Sequence, residues 1–118
     1  MNLDPRKFYK ILRASEWQEL VANGESCGSS NDLRDGYIHL SNADQLQATL
    51  IRHFAGVDDL MLVAVDPAML GAIVKHEPSR TGALFAHLYA PLPLAACRLL
   101  AQRQSATSDW SDGADSRS

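Results

Sequence analysis

Leu60-Met61-Leu62-Val63-Ala64-Val65 is a continuous apolar run closed by Asp58-Asp59 on one side and Asp66-Pro67 on the other. It has the length and flanks of a β-strand buried on both faces, so the fold must place apolar material on each side of the sheet that holds it. With 118 residues the chain can build one such domain around one core, but not two. Directly after the run, Asp66 can cap a short helical turn with Pro67 at its first position, reaching Leu70 and ending at Gly71. Ala72 to His76 then reads as a further strand.

Around that strand the elements alternate. Lys7 to Leu12 has the aromatic and β-branched content of a first strand. Ser15-Glu16-Trp17-Gln18 fits a capping box, and the helix it opens runs to about Ala22, where Asn23-Gly24 supplies a left-handed stop. Trp17, Leu20 and Val21 fall on its inner side. A second helix spans Ala43 to Phe54, with Leu46, Leu50, Ile51 and Phe54 at helical spacing, and Gly56 ends it. Arg52 and His53 near its C-terminus suit the helix dipole.

Ala83 to Tyr89 returns as a strand, and Pro91 and Pro93 require a bend or a sheet edge after it. Leu94 to Gln102 is compatible with a helix by propensity and with a closing strand, which suits a small sheet better. Glu25–Asp35 and Glu77–Gly82 are polar and read as loops. Residues 104–118 are rich in Ser, Asp and Gly and read as a disordered tail, with Trp110 a lone apolar exception. The expectation is an α+β fold with two main helices, a single domain over 1–103 and a tail over 104–118.

Charge narrows the function classes. There are 11 Lys+Arg against 14 Asp+Glu, a formal net charge of -3, so no basic surface is implied and nucleic acid is not the favoured partner. Cys27 and Cys97 lack C-x-x-C spacing and do not suit a thiolate metal site, while one disulfide between them stays open. No apolar run approaches the ~20 residues needed to cross a bilayer, and the N-terminus carries no signal-peptide core. A bacterial-type cytoplasmic protein with a small-molecule or nucleotide ligand and no membrane contact is expected.

The chemistry concentrates in two strands. In Arg34-Asp35-Gly36-Tyr37-Ile38-His39-Leu40-Ser41 a turn leads into an alternating strand, which puts Tyr37 and His39 on one face and Ile38 and Leu40 on the other. Ser41-Asn42 can cap the helix that follows. Phe85-Ala86-His87-Leu88-Tyr89 repeats the alternation, with Phe85, His87 and Tyr89 together. If the strands are neighbours, His39, His87 and Glu77 form an acid–base set, since imidazole titrates near neutrality. Arg80 can grip a phosphate or carboxylate through paired N–H donors. The plainer alternatives are histidines satisfied within the core and a Glu77–Arg80 surface ion pair worth roughly 0–1 kcal/mol. Ser29, Ser30 and Asn31 offer further polar groups. His39, His76, His87 and Glu77 lack the helical His spacing of a metal site, so no metal is expected. No P-loop, G-x-S-x-G elbow or G-x-G-x-x-G is present.

Phe8-Tyr9-Lys10-Ile11-Leu12, Trp17, Asp35 through Ser41 with Gln45, Glu77 through Arg80, and Phe85 through Tyr89 together resemble the small bacterial family known as domain of unknown function 952. The resemblance covers roughly residues 6 to 100. It implies an ADP-ribosyltransferase-like split β-sheet fold, similar within that fold to the RNA 2′-phosphotransferases, through Ile38-His39-Leu40-Ser41 and Leu62 to Met69. By that resemblance the cofactor is the nicotinamide dinucleotide NAD. Tyr9, Lys10, Ser41, Arg80 and Tyr89 would bind it, and His39, His87 and Glu77 would act on it. Lys10 stands where the phosphotransferases carry a ribose-orienting histidine, and Ala86 stands where this family usually has proline. Three functions follow: an ADP-ribosyl or 2′-phosphoryl transferase, a non-catalytic nucleotide or metabolite binding module, or a structural, partner-binding domain.

Overall fold

In the computed structural model, which describes residues 3–79 and 82–113, Leu60–Val65 is β4, the second strand of a four-stranded antiparallel sheet. On one side it pairs with β1 (Phe8–Arg13), from Phe8 opposite Val65 to Arg13 opposite Leu60. On the other it pairs with β8 (Cys97–Arg103), whose outer edge carries β9 (Ser111–Asp112). Both faces of β4 are covered, as its sequence requires.

Leu60 and Leu62 join Tyr9, Ile11, Leu46 and Ala101 in one apolar cluster. Val63 and Val65 join Leu12, Trp17, Leu20, Cys97 and Leu99 in another. A bulge between Leu62 and Val63 pairs those residues with Ala101 and Leu99 and leaves Leu100 extra. That added residue turns Leu99 and Ala101 to opposite faces, so β8 serves both clusters. Truncating a side chain such as Leu60 there would cost about 2–5 kcal/mol.

The first cluster is closed by α1 (Ala14–Asn23) and by a second antiparallel sheet in the order β3 (Ile38–Leu40), β6 (Leu84–Leu88), β5 (Val74–Pro78). The second cluster is closed by α3 (Leu46–Phe54), entered through a 3-10 turn at Ala43–Gln45. Reciprocal backbone bonds of 2.7 and 2.9 Å between Tyr9 and Ser41 tie the two sheets. A small ribbon pairs β2 (Glu25–Ser26) with β7 (Leu92–Pro93), so the Pro91–Pro93 stretch lies in a two-stranded edge as expected.

Several boundaries differ from the sequence reading. α1 begins two residues early, with Arg13 and not Ser15 at its cap: the Arg13 N–H donates to Glu16 Oε1 at 2.7 Å, so Glu16 takes the role expected of Gln18. Its stop is as expected, with Gly24 left-handed and its N–H bonded to Leu20. The expected loop over Glu25–Asp35 contains β2 and a short helix, α2 (Ser30–Asp35), capped by Ser29. Glu77 lies in strand β5 instead of a loop, and Leu94–Gln102 resolves into a 3-10 turn followed by β8. Over residues 104–113 the expected tail instead returns along β8, because Trp110 finds an apolar surface and Ser111–Asp112 find the sheet edge. No disulfide forms: Cys27 is exposed and Cys97 buried. No helix among the described residues is long and apolar enough to cross a membrane.

Candidate functional site

The alternation of β3, β6 and β5 sorts their side chains onto two faces. Ile38, Leu40, Ala86 and Leu88 enter the core. On the other face the registers set His39, His87 and Lys75 in one row across the three strands. Glu77 lies opposite Phe85 in the next row. Tyr37 precedes β3 and packs over the histidines, 4.0 Å from the His87 ring in a stacked arrangement and 4.8 Å from that of His39. The two imidazoles themselves meet edge to face at 5.3 Å. The sequence reading made the histidine set conditional on the two strands being neighbours, and β3 and β6 do pair, with His39 opposite His87.

Each imidazole has its Nδ1 on a carboxylate. His39 Nδ1 lies 2.6 Å from Asp32 Oδ1, and His87 Nδ1 lies 2.9 Å from Glu77 Oε1. A carboxylate in this position orients the ring and selects which nitrogen carries hydrogen. His39 Nε2 also sits 3.1 Å from Asp35 Oδ2. Both contacts are hydrogen bonds at once only in the doubly protonated ring, and a neutral ring keeps one of them.

Asp32 is 2% exposed and comes from α2, just upstream of the strand it serves. Its Oδ1 also accepts the His39 backbone N–H at 3.1 Å, and Oδ2 accepts the Ser29 N–H at 2.9 Å. Lys10 Nζ, itself 8% exposed, lies 3.0 Å from Oδ2 and donates to the His39 carbonyl at 2.9 Å. Burial alone would raise the Asp32 carboxyl. The His39 bond, the Lys10 charge and the Ser29 N–H outweigh it and hold the group well below the usual aspartate range. Gly28 permits this approach: a Cβ at that position would lie 2.5 Å from Asp32 atoms, at a backbone φ of +101°.

Glu77 joins the other half of the site. Tyr89 Oη donates to Glu77 Oε1 at 2.6 Å, beside the His87 contact. Those two bonds, Tyr89 first, hold the Glu77 carboxyl below its ordinary value. In return the Glu77 bond, with desolvation and the Glu77 charge, pushes the Tyr89 phenol up to about 12. Lys75 Nζ stands 4.9 Å above the Tyr89 ring.

The remaining sequence candidates fall elsewhere. Tyr9 points into the second apolar cluster, on the opposite face of its strand from Lys10, and its hydroxyl meets the Asp4 backbone. Ser41 is buried, with its hydroxyl 3.0 Å from that of Thr49. Arg80 lies outside the described residues. Among the described residues no group of three or more His, Cys, Asp or Glu side chains is arranged to hold a metal ion. Sequence reasoning passed over Asp32, Asp35 and Lys75. The signal for Asp32 was present in Ser29-x-x-Asp32, a capping pattern that marks a helix start inside the supposed loop.

Fold and site together define a small α+β protein of antiparallel sheets, with a carboxylate-anchored histidine pair on the outer face of one of them. A family model described as protein of unknown function (DUF952) matches residues 11–99, and the chain belongs to that family. It is similar to protein CC0527 from Caulobacter crescentus. The crystal structure of that protein is 45% identical with a TM-score of 0.74, over 77% of this chain and 80% of that one. Its solution NMR structure is 44% identical with a TM-score of 0.70, over 79% and 80%. No curated protein matches the chain.

Proposed function

We propose that the outer face of β3–β6–β5 is the ligand cleft of a nicotinamide-dinucleotide-using transferase on an ADP-ribosyltransferase-like fold, with His39 and His87 as its proton-handling groups. The observation that carries this reading is the double anchoring, Asp32 on His39 at 2.6 Å and Glu77 on His87 at 2.9 Å, with the rings 5.3 Å apart. A carboxylate held on Nδ1 fixes the orientation and tautomer of an imidazole that acts as a general acid or base.

Charge selects between the two transfers that the family resemblance suggests. Ribosyl transfer develops positive charge at the sugar, whereas phosphoryl transfer spreads negative charge over oxygens. Glu77 and Asp35 flank the histidines, so ADP-ribosyl transfer is favoured over 2′-phosphoryl transfer. Tyr37 and Tyr89 supply aromatic surface for a flat ring, and Glu77 is suited to support a ribosyl cation. Lys10 does not fit a ribose-binding role, because its ammonium is committed to Asp32 and the His39 carbonyl.

The test is incubation of the protein with the oxidised dinucleotide, following release of nicotinamide. Release is expected from the wild type and its loss from His39→Gln and His87→Asn, with circular dichroism unchanged. Release that survives both substitutions would sink the assignment. A second reading, a non-catalytic binding module, is favoured by Tyr37, whose stacking at 4.0 Å already covers one face of His87. Saturable shifts of the histidine ring signals with the dinucleotide, but no product on long incubation, would select it.

A further inference from the structure

We infer that Tyr89, Glu77 and Tyr37 form a seat for an organic cation of the ammonium or guanidinium type, and that Lys75 is its internal occupant. The inference rests on reading this face as a ligand cleft, and it names the class of group received there. It does not require transfer chemistry.

The first support is Lys75 itself. It projects from an edge strand beside solvent, yet its ammonium stands 4.9 Å from the centre of the Tyr89 ring. An ammonium at that distance over a tyrosine face is within cation–π range. The second support is what stands beside that face. Tyr89 donates its hydroxyl proton toward Glu77 at 2.6 Å, which enriches the ring, and Tyr37 lies 5.2 Å away at a tilt of 48°. The Tyr89 face beside the Glu77 carboxylate, with the Tyr37 ring as a neighbouring wall, brings together the elements of a cation seat.

The third support is the balance of charge. Glu77 and Asp35 both stay ionised, the first through its bonds from Tyr89 and His87 and the second through its bond from Arg34. An anionic group entering this corner meets Glu77, while a cation meets it with attraction. Lys75 is the natural leaving occupant, since it is exposed and tethered by a flexible stem. A ligand cation of the same charge can take its place without leaving a buried charge behind.

The experiment is an NMR titration of the full chain with methylguanidinium chloride and with tetramethylammonium chloride, using urea and sodium phosphate as neutral and anionic comparators. The expected result is saturable upfield movement of the cations' methyl signals together with shifts of the Tyr89 ring, and no saturable response to urea. Lys75→Ala removes the competing ammonium and is expected to tighten cation binding about two- to fivefold, the range a single exposed cation–π contact spans. Glu77→Gln is expected to weaken it. No saturable response to either cation, or weaker cation binding in Lys75→Ala, would overturn the inference and leave Lys75 over Tyr89 as a surface cation–π contact only. If the cations bind but no nicotinamide is released, the transferase reading fails and the seat stands. If nicotinamide is released while Lys75→Ala alters no cation response, the seat fails and the transferase reading stands.

Discussion

A carboxylate removed from water must recover its lost hydration from neighbouring donors, and Asp32 does so from the Ser29 and His39 backbone N–H groups, the His39 ring and the Lys10 ammonium. Removing its charge strands Lys10 in the interior, so Asp32→Asn is expected to cost about 2–4 kcal/mol at neutral pH, measured by urea unfolding. The pH dependence has a fixed sign. The folded-state carboxyl titrates below the ordinary value of 3.8, so its contribution is full above that pH and is lost as the pH falls below it. Wild-type stability should therefore drop on acidification below pH ~4, and the drop should be shallower in Asp32→Asn. Equal acid slopes in the two proteins would refute the assignment. Tyr89 offers a second residue-level check at the other end of the scale. Its phenol is raised from 10.0 to about 12 by the Glu77 bond first of all, so Glu77→Gln should bring the Tyr89 transition back toward 10.0 in a ring-carbon NMR titration. A transition that stays near 12 in the variant would remove Glu77 as the cause.

Among the elements, α2 is short and is worth more for what it positions than for its own stability, because a helix of its length is marginal alone. It is held by Ser29 at its start and by Gly36, at φ +85°, at its end, and it delivers Asp32 to the strand that follows. Gly28→Ala brings a methyl group into the space the Asp32 carboxylate uses, at a φ that L-residues avoid. The expected outcome is a loss of about 1–3 kcal/mol together with displaced His39 ring signals, while those of His76 hold. A silent Gly28→Ala would mean that α2 is free to shift without disturbing the site. The same element shows where sequence reasoning stops. β3 and β6 were legible because a period of two survives in short strands, and Tyr37, His39, His87 and Tyr89 fell on one face as read. α2 was hidden by composition: Ser, Asn and Asp favour loops and caps alike, and only the Ser29–Asp32 spacing distinguishes them. The bulge at Leu100 was not legible at all, since it exists only in the pairing with β4.

At the level of the whole molecule, the sheet around β4 separates two environments. The histidine face belongs to the sheet that closes one cluster, and α3 with Trp110 closes the other. A buried central strand implied both layers in advance, but composition alone assigned Trp110 to a featureless tail, because a single aromatic carries no periodicity. In the structure Trp110 lines a cavity of about 210 Å³ with Leu3, Ile11, Leu46, Leu50 and Leu62, and the Arg103 guanidinium lies 5.2 Å over its ring. Its removal would open that cavity and expose the apolar cluster it packs against. Trp110 is only half-buried, so Trp110→Ala should cost about 1–3 kcal/mol, less than a fully enclosed tryptophan. The two clusters lie on opposite faces of the sheet, so this loss should be nearly additive with that of Asp32→Asn. The double variant, followed by urea unfolding, is therefore expected to lose the sum of the single losses within about 0.5 kcal/mol, and its histidine signals should match those of Asp32→Asn alone. A coupling well above that margin would show that the cover over α3 and the anchored histidine pair are one cooperative unit, and the separation of roles drawn from the sheet would have to be abandoned.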